Sequence, residues 1–327
     1  MSKKGLTNIS QKVRESAKSV MSQASHLQID TEALPSAADW LYKNREFKPI
    51  DQISFHPTSK DLCLEDHIKF YFVIDTINFC FWPTKGIEYK DICKTLAEIF
   101  KSNENFFTFE KMKSISFDHF QEKMGHLFQG EGGMLEERFR LLKETFEVVE
   151  TFGSFLDFVK ASDLSAQSFL SLIVQYLPGF QDHSFYKKRQ VFFYKRAQIL
   201  VCDVEAAMQA HKEVDPSTPI ITDVDSLTCF ADYRVPQGLW SLGVIKYGDK
   251  LAERIRNCEQ IKFGSEEEVE IRSAMIVSVG LIAAEVNKKY GTSLTERDVD
   301  WIFWQTGEEN LKDSTEFPFH KTMTIFY

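Results

Sequence analysis

No stretch of this chain constrains its fold more than residues 265–291, SEEEVEIRSAMIVSVGLIAAEVNKKYG. Ser265 and Glu268 make the S-x-x-E pattern of a capping box, and Glu266, Glu267 and Glu268 crowd the end where a helix is positive. Gly291 supplies the stop. The spacing predicts one helix of about seven turns. Its apolar run, Met275 to Ala284, falls short of the ~18 residues a membrane span needs and has polar residues close by on both sides. A chain of 327 residues permits one large domain or two intimately packed helical lobes.

Helical spacing recurs through most of the rest. Residues 8–45 read as one or two helices, Ser10 to Ser25 and Thr31 to Asn44, with Pro35 near the start of the second. Tyr89 to Ser102 repeats Ile92, Leu96, Ile99 and Phe100 at helical intervals. Phe107 to Leu127 adds shorter helices, QGEGGM at 129–134 reads as a flexible connection, and LEERFRLLKETFEVVETFG runs to a stop at Gly153. Residues 184–211 read as one long helix, and Thr295 with Asp298 opens a last one through TERDVDWIFWQTGEE. Only residues 52–83 differ. HIKFYFVIDTINFCFWP is dense in aromatic and β-branched side chains, which favours strand or a fully buried segment. The fold class is therefore mainly α, with room for a small strand element near residues 52–83.

Composition narrows the function. The formal charge of −9 makes a poor general binder of duplex nucleic acid, whose affinity rests on phosphate neutralisation. It leaves room for a small phosphorylated ligand. The six cysteines, 63, 80, 93, 202, 229 and 258, form no CxxC pair and have no histidine at zinc-ligand spacing, so neither a metal site nor disulfides are expected. The N-terminus lacks the apolar core of a signal peptide, which points to a cytoplasmic protein. The 29 Phe describe a phenylalanine-rich core or an aromatic pocket for a flat ligand. HExxH, GxSxG and Walker sequences are all absent.

Four less specific segments remain. FADYRVPQ, residues 230–237, sets the carboxylate of Asp232, the phenol of Tyr233 and the guanidinium of Arg234 in a row just before Pro236. A loop-to-helix transition suits a catalytic group, because the helix fixes the base of the loop. Asp232 could equally serve as an N-cap or as a partner for Arg234. YKKRQVFFYKRAQ, residues 186–198, would set Lys188 and Lys195 on nearly one helix face, able to grip a phosphate or simply solvated. His56 precedes a turn and Asp75 lies inside an apolar run, each open to a ligand or to a structural role. In DWIFWQ, residues 300–305, Trp304 and Gln305 could wall a base pocket or pack in the core.

Taken together and in order, FYFVIDTINFCFW, FYKRAQ, ITDVDSLTCFADYRVPQ and SEEEVEIR resemble the queuosine 5′-phosphate N-glycosylase (queuosine salvage protein) family. QKVRESAKSV and LEERFRLLKE extend the likeness over nearly the whole chain. The resemblance implies an N-glycosidase that hydrolyses queuosine 5′-phosphate and releases queuine for salvage into tRNA modification. It also implies a helical core similar to helix-hairpin-helix DNA glycosylases and no metal or organic cofactor. The family's catalytic aspartate maps onto Asp232, and Lys195 onto a basic residue near the sugar-phosphate. His56, Phe230, Ala231, Tyr233 and Arg234 would line the pocket. Asp75 is a candidate partner for the base, and Lys195 and Arg234 for the phosphate. Gln305 departs from the carboxylate expected at its position, which leaves that wall of the pocket open. The expected partner is the small-molecule substrate alone, without stable nucleic acid or membrane, for a monomer. Two readings from other classes stand beside this one. One is an inactive module that binds a modified nucleobase or nucleotide, and the other is a helical scaffold for a partner protein.

Overall fold

The computed structural model describes residues 8–46, 55–82, 88–102, 105–311 and 313–327. The elements among them, in chain order, are α1 (Ile9–Met21), β1 (Leu27–Ile29), α2 (Leu34–Lys43), α3 (Leu64–Ile77), α4 (Tyr89–Lys101), α5 (Phe109–Ser114), α6 (Phe117–Met124), α7 (Leu135–Glu150), α8 (Phe155–Lys160), α9 (Ala166–Tyr176), β2 (His183–Tyr186), β3 (Arg189–Phe192), α10 (Lys195–Lys212), α11 (Arg234–Ser241), β4 (Ile245–Tyr247), α12 (Asp249–Arg256), α13 (Glu266–Tyr290) and α14 (Glu296–Asn310). The protein is mainly helical, as the sequence predicts. It divides into two compact units, each assembled from separated stretches. The first takes its described residues from 1–47, 182–195 and 225–324, the second from 48–181, 196–224 and 325–327.

In the first unit α13 is the central element, packed on by α1, α2, α11 and α14. Apolar residues bury on every side of it, among them Val269, Ile271, Met275, Val279, Ile282 and Val286. Its start is half a capping box. Ser265 accepts from the Glu268 amide at 3.3 Å, but the Glu268 carboxylate accepts from Gly264 at 3.1 Å rather than from Ser265. Thr295 and Asp298 complete both halves at the start of α14. β1 pairs antiparallel with β4, Leu27 opposite Tyr247 and Ile29 opposite Ile245.

The long helix expected over 184–211 is corrected in its first part. β2 and β3 form a hairpin with Tyr186 opposite Arg189, and helix begins only at Lys195. The two-residue turn places Lys187 and Lys188 at φ 45° and 68°. Such turns match strand twist but usually carry Asn or Gly, which tolerate the left-handed region. Two lysines give no turn signal, so the local sequence reads as helix.

The second unit is organised around α3, which corrects the possible strand element near residues 52–83 and agrees with the alternative of a fully buried segment; residues 52–54 and 83 lie outside the described ones. From Phe70 to Ile77 every residue of α3 is buried. A helix covered on all sides has no polar face to mark its period, and its core-filling aromatic and β-branched residues mimic a strand. Phe72 meets Phe155, Phe158 and Phe169 at centroid distances of 5.1, 5.7 and 6.2 Å, so phenylalanines build this core. The last carbonyls of α3 would be orphaned inside it. Arg138 donates to the carbonyls of Ile77, Phe79 and Cys80, and Arg196 to those of Asp75 and Thr76. The QGEGGM connection is also less free than expected. A Cβ at Gly133 would lie 2.2 Å from the Phe128 carbonyl oxygen, so only glycine fits there.

Candidate active site

A cluster of buried charge in the first unit surrounds the loop that enters α11. Asp232 is 6% exposed. Its Oδ1 accepts from the amides of Arg234 at 2.9 Å and Val235 at 3.1 Å, donors otherwise orphaned in the first turn of α11. It therefore does the capping work that its sequence position allows. Its Oδ2 makes no hydrogen bond among the described residues, so one oxygen is pinned and the other is available. Burial raises its pKa. The charge of Lys195, the two amides and the charge of Arg234 work in the opposite direction.

A second carboxyl stands beside it. Asp300, on the buried face of α14, accepts from the Phe230 amide at 3.0 Å. Burial and then the charge of Asp232 push its pKa well above the usual carboxylate range, against weaker help from that amide and from Lys195. Asp232 has two amides and two nearby cations, whereas Asp300 has one amide, one cation and a like charge. When the pair holds one proton, Asp300 holds it and Asp232 is the anion.

Lys195 opens α10, and its backbone amide donates to Asp182 Oδ2 at 3.1 Å. Its positive charge acts on both carboxyls. Arg234 is engaged elsewhere. Its Nε donates to Glu308 at 2.6 Å, and its guanidinium lies 5.4 Å from the Tyr233 ring centre and 4.9 Å from that of Phe319. Phe230 and Ala231 are buried in the same loop. Trp304 stacks on Trp301 at 5.1 Å, and Trp304 and Gln305 are half-buried on α14.

The basic cluster read from residues 186–198 does not form one face. Lys187, Lys188 and Arg189 are exposed on the hairpin, and Arg196 is buried in the second unit, where it donates to four backbone carbonyls. Helical phase fails across a β-turn, so only Lys195 from that cluster acts on Asp232.

His56 and Asp75 belong to the second unit. Nδ1 of His56 lies 3.1 Å from the Tyr71 hydroxyl and Nε2 lies 3.6 Å from the Cys93 sulfur. Burial and the charge of His67 lower its pKa to about 3, so the ring is neutral at physiological pH. Asp75 is fully buried, and its charge helps raise the proton affinities of Tyr89 and Cys93. One group among the described residues, His26, Glu266 and Glu270, has ligand atoms close enough to share a cation. Glu270 already accepts from the amides of Ser25 and His26 and from the Tyr186 hydroxyl, a structural use of that carboxylate.

The sequence profile described as queuosine salvage protein matches residues 55–327. The chain belongs to the queuosine salvage protein family. Relatives named queuosine 5′-phosphate N-glycosylase/hydrolase are 33% identical in Dictyostelium discoideum over 96% of this chain and 98% of the relative. In Sphaerobacter thermophilus the identity is 33% over 94% and 95%, and in Mus musculus 30% over 96% and 98%.

In this queuosine salvage protein two residues of the candidate site are not picked out by the sequence. In DWIFWQ the sequence draws attention to Trp304 and Gln305 rather than to Asp300. The available signal was a carboxylate between Val299 and Ile302, both on the buried face of the helix. Glu308, which neutralises Arg234, carried no signal, since an acidic residue late in a helix reads as solvated surface.

Proposed function

We propose that this chain hydrolyses the N-glycosidic bond of queuosine 5′-phosphate, releasing queuine and ribose 5-phosphate. The observation that carries this reading is the Asp232 carboxylate, pinned through one oxygen by the amides of Arg234 and Val235 and available through the other, with the buried Asp300 and the charge of Lys195 nearby. Breaking the C1′–N bond sends its electron pair to the base and builds positive charge on the sugar ring. A fixed carboxylate against C1′ stabilises that charge while water adds its oxygen there and gives up a proton. The departing base is a 7-deazapurine and lacks N7, the usual protonation site for purine departure. Asp300, kept neutral by burial and by its like-charged neighbour, supplies a hydrogen-bond donor to the base edge instead. Trp304 and Gln305 on the same helix would flank the base.

Because Arg234 is already paired with Glu308, Lys195 is assigned the 5′-phosphate. Lys195→Ala should raise KM for the nucleotide about tenfold or more, the worth of one hydrogen bond to a charged group, and leave KM for the nucleoside unchanged, while kcat falls for both because Asp232 loses its strongest neighbouring cation. Equal effects on KM for both substrates would remove Lys195 from the phosphate. The reading is that of a monomer working in the cytoplasm, which six unpaired cysteines suit. Among the described residues no helix is long and apolar enough to cross a membrane.

The deciding experiment is incubation of the purified protein with queuosine 5′-phosphate, followed by mass spectrometry for free queuine. Release establishes the hydrolase. Binding without release would favour the inactive module, a reading the relatives do not support, since they are named for hydrolysis.

A further inference from the structure

Asp232 and Lys195 reach their places from distant parts of the sequence, and one fully buried side chain ties the two parts together. Arg272 of α13 donates through Nε to the carbonyl of Ala231 at 3.0 Å, the residue next to Asp232. Its terminal nitrogens grip Asp182 with both prongs, Nη1 to Oδ1 at 2.9 Å and Nη2 to Oδ2 at 2.6 Å. Asp182 Oδ2 also accepts the backbone amide of Lys195 at 3.1 Å, and the Asp182 carbonyl accepts the amides of Phe193 at 3.0 Å and Tyr194 at 3.1 Å. The guanidinium lies 4.0 Å over the Phe193 ring, which sets its plane.

Stability alone is a weak reason for this arrangement. A buried ion pair is often replaceable by apolar residues at no loss, and its best-attested use is to specify geometry. The planar fork of arginine fixes direction as well as distance, as a lysine would not. Backbone strain points the same way. Tyr194, immediately before Lys195, sits at φ 54°, a left-handed conformation costing a non-glycine residue about 1–2 kcal/mol. Both Asp182 and its carbonyl hold that turn in place, so the surroundings over-determine where α10 begins.

We propose that Arg272 and Asp182 are positioning residues that fix the Asp232 carboxylate against Lys195. The proposal deepens the N-glycosidase reading and rests on it. It has a consequence in pH. The groups acting on Asp232 are Lys195 on α10, Arg234 on α11, itself paired with Glu308, and Asp300 on α14. Arg272 is faced by Asp182, by Glu268 at 3.5 Å and by His320, whose pKa burial and the Arg272 charge lower to about 3. Lys195 is the strongest of the influences that oppose burial at Asp232. If the clamp loosens and Lys195 recedes, the carboxylate binds its proton more tightly. Activity needs the anion, so the acid limb of the rate profile moves to higher pH.

The test measures kcat and KM on queuosine 5′-phosphate from acid to neutral pH for the full chain, Arg272→Lys and Asp182→Asn, with Tyr186→Phe as a control. The control removes the 2.8 Å bond to Glu270, a buried contact of the same helix away from Asp232. In both clamp variants kcat should fall about ten- to a hundredfold, the cost of misplacing a catalytic group by about 1 Å, and KM for the nucleotide should rise by less than in Lys195→Ala. Their acid limb should rise by about one pH unit. Tyr186→Phe should lose thermal stability and keep the limb where it is. Folded clamp variants that lose only stability, with kcat and the limb unmoved, overturn the proposal. If Arg272→Lys does not fold, Asp182→Asn, which keeps the side-chain shape, decides alone. If the unmodified protein releases no queuine, the N-glycosidase reading falls separately. The clamp is then read from the carboxyl titration of Asp232 by NMR, which should move up in the same variants, and an unmoved titration rejects it.

Discussion

Asp232→Asn is expected to lower kcat and kcat/KM together by about a thousandfold, roughly 4 kcal/mol of transition-state stabilisation, with no loss of fold. Asparagine keeps an Oδ1 that can accept from the Arg234 and Val235 amides, so the start of α11 stays capped. What changes is the available oxygen, which becomes an NH2 group unable to offset positive charge on the sugar. The effect on stability has a definite sign. Burial raises the pKa of Asp232 in the folded protein, so the folded state binds a proton that the unfolded chain releases. Stability therefore falls as pH rises from the ordinary carboxylate range through the folded value, and at neutral pH the ionised side chain is a burden on the fold. Asp232→Asn should accordingly melt at or above the temperature of the parent at neutral pH, and any advantage should vanish once the parent's carboxyl is protonated in acid. Queuine release followed by mass spectrometry, beside a thermal melt at two pH values, checks both halves. A folded variant with near-normal turnover would take Asp232 out of the chemistry.

What the sequence disclosed and what it hid follow from the range of the interactions involved. The caps at Ser265 and Thr295 act within four residues, so their helices were legible from the chain alone. Asp232 was legible for a similar reason. It stands directly before a helix start marked by Pro236, and its two hydrogen bonds reach only to residues 234 and 235. The burial of α3 is legible in its sequence but its helical form is not, because complete burial erases the period on which helix recognition depends. The hairpin is hidden in the sequence because Lys187 and Lys188 adopt left-handed backbone that their side chains do not favour. The rest of the site is tertiary. Asp300 meets Phe230 across 70 residues of sequence, and Arg272 meets Asp182 across 90, and no local pattern announces either contact. Asp232 was therefore readable as a candidate from its local sequence, while the groups that surround it were not.

Arg196→Ala should be the most destabilising of the substitutions considered, by about 4 kcal/mol. The side chain is 1% exposed and donates to four backbone carbonyls, Asp75 at 2.5 Å, Thr76 at 2.7 Å, Gly179 at 2.5 Å and Ile325 at 2.7 Å. Two of these close the final turn of α3, where the negative end of the helix dipole favours a cation. The guanidinium also lies 5.0 Å from the Phe79 ring centre and 4.9 Å from that of Phe180, so its removal opens a cavity between two aromatics. Truncation would strip donors from four carbonyls at once, each unsatisfied buried group costing about 1–3 kcal/mol before relaxation and water entry reduce the sum. Arg196→Lys should lose roughly half as much, since an ammonium can serve some of these oxygens but not span all four. Urea denaturation separates this from the role that the neighbouring lysine and the basic sequence suggest. A phosphate ligand at position 196 would show a raised KM at nearly unchanged stability. A structural arginine shows a lowered denaturation midpoint and, in whatever fraction remains folded, a nearly unchanged KM. Stability within about 1 kcal/mol of the parent would remove Arg196 as the cap of α3.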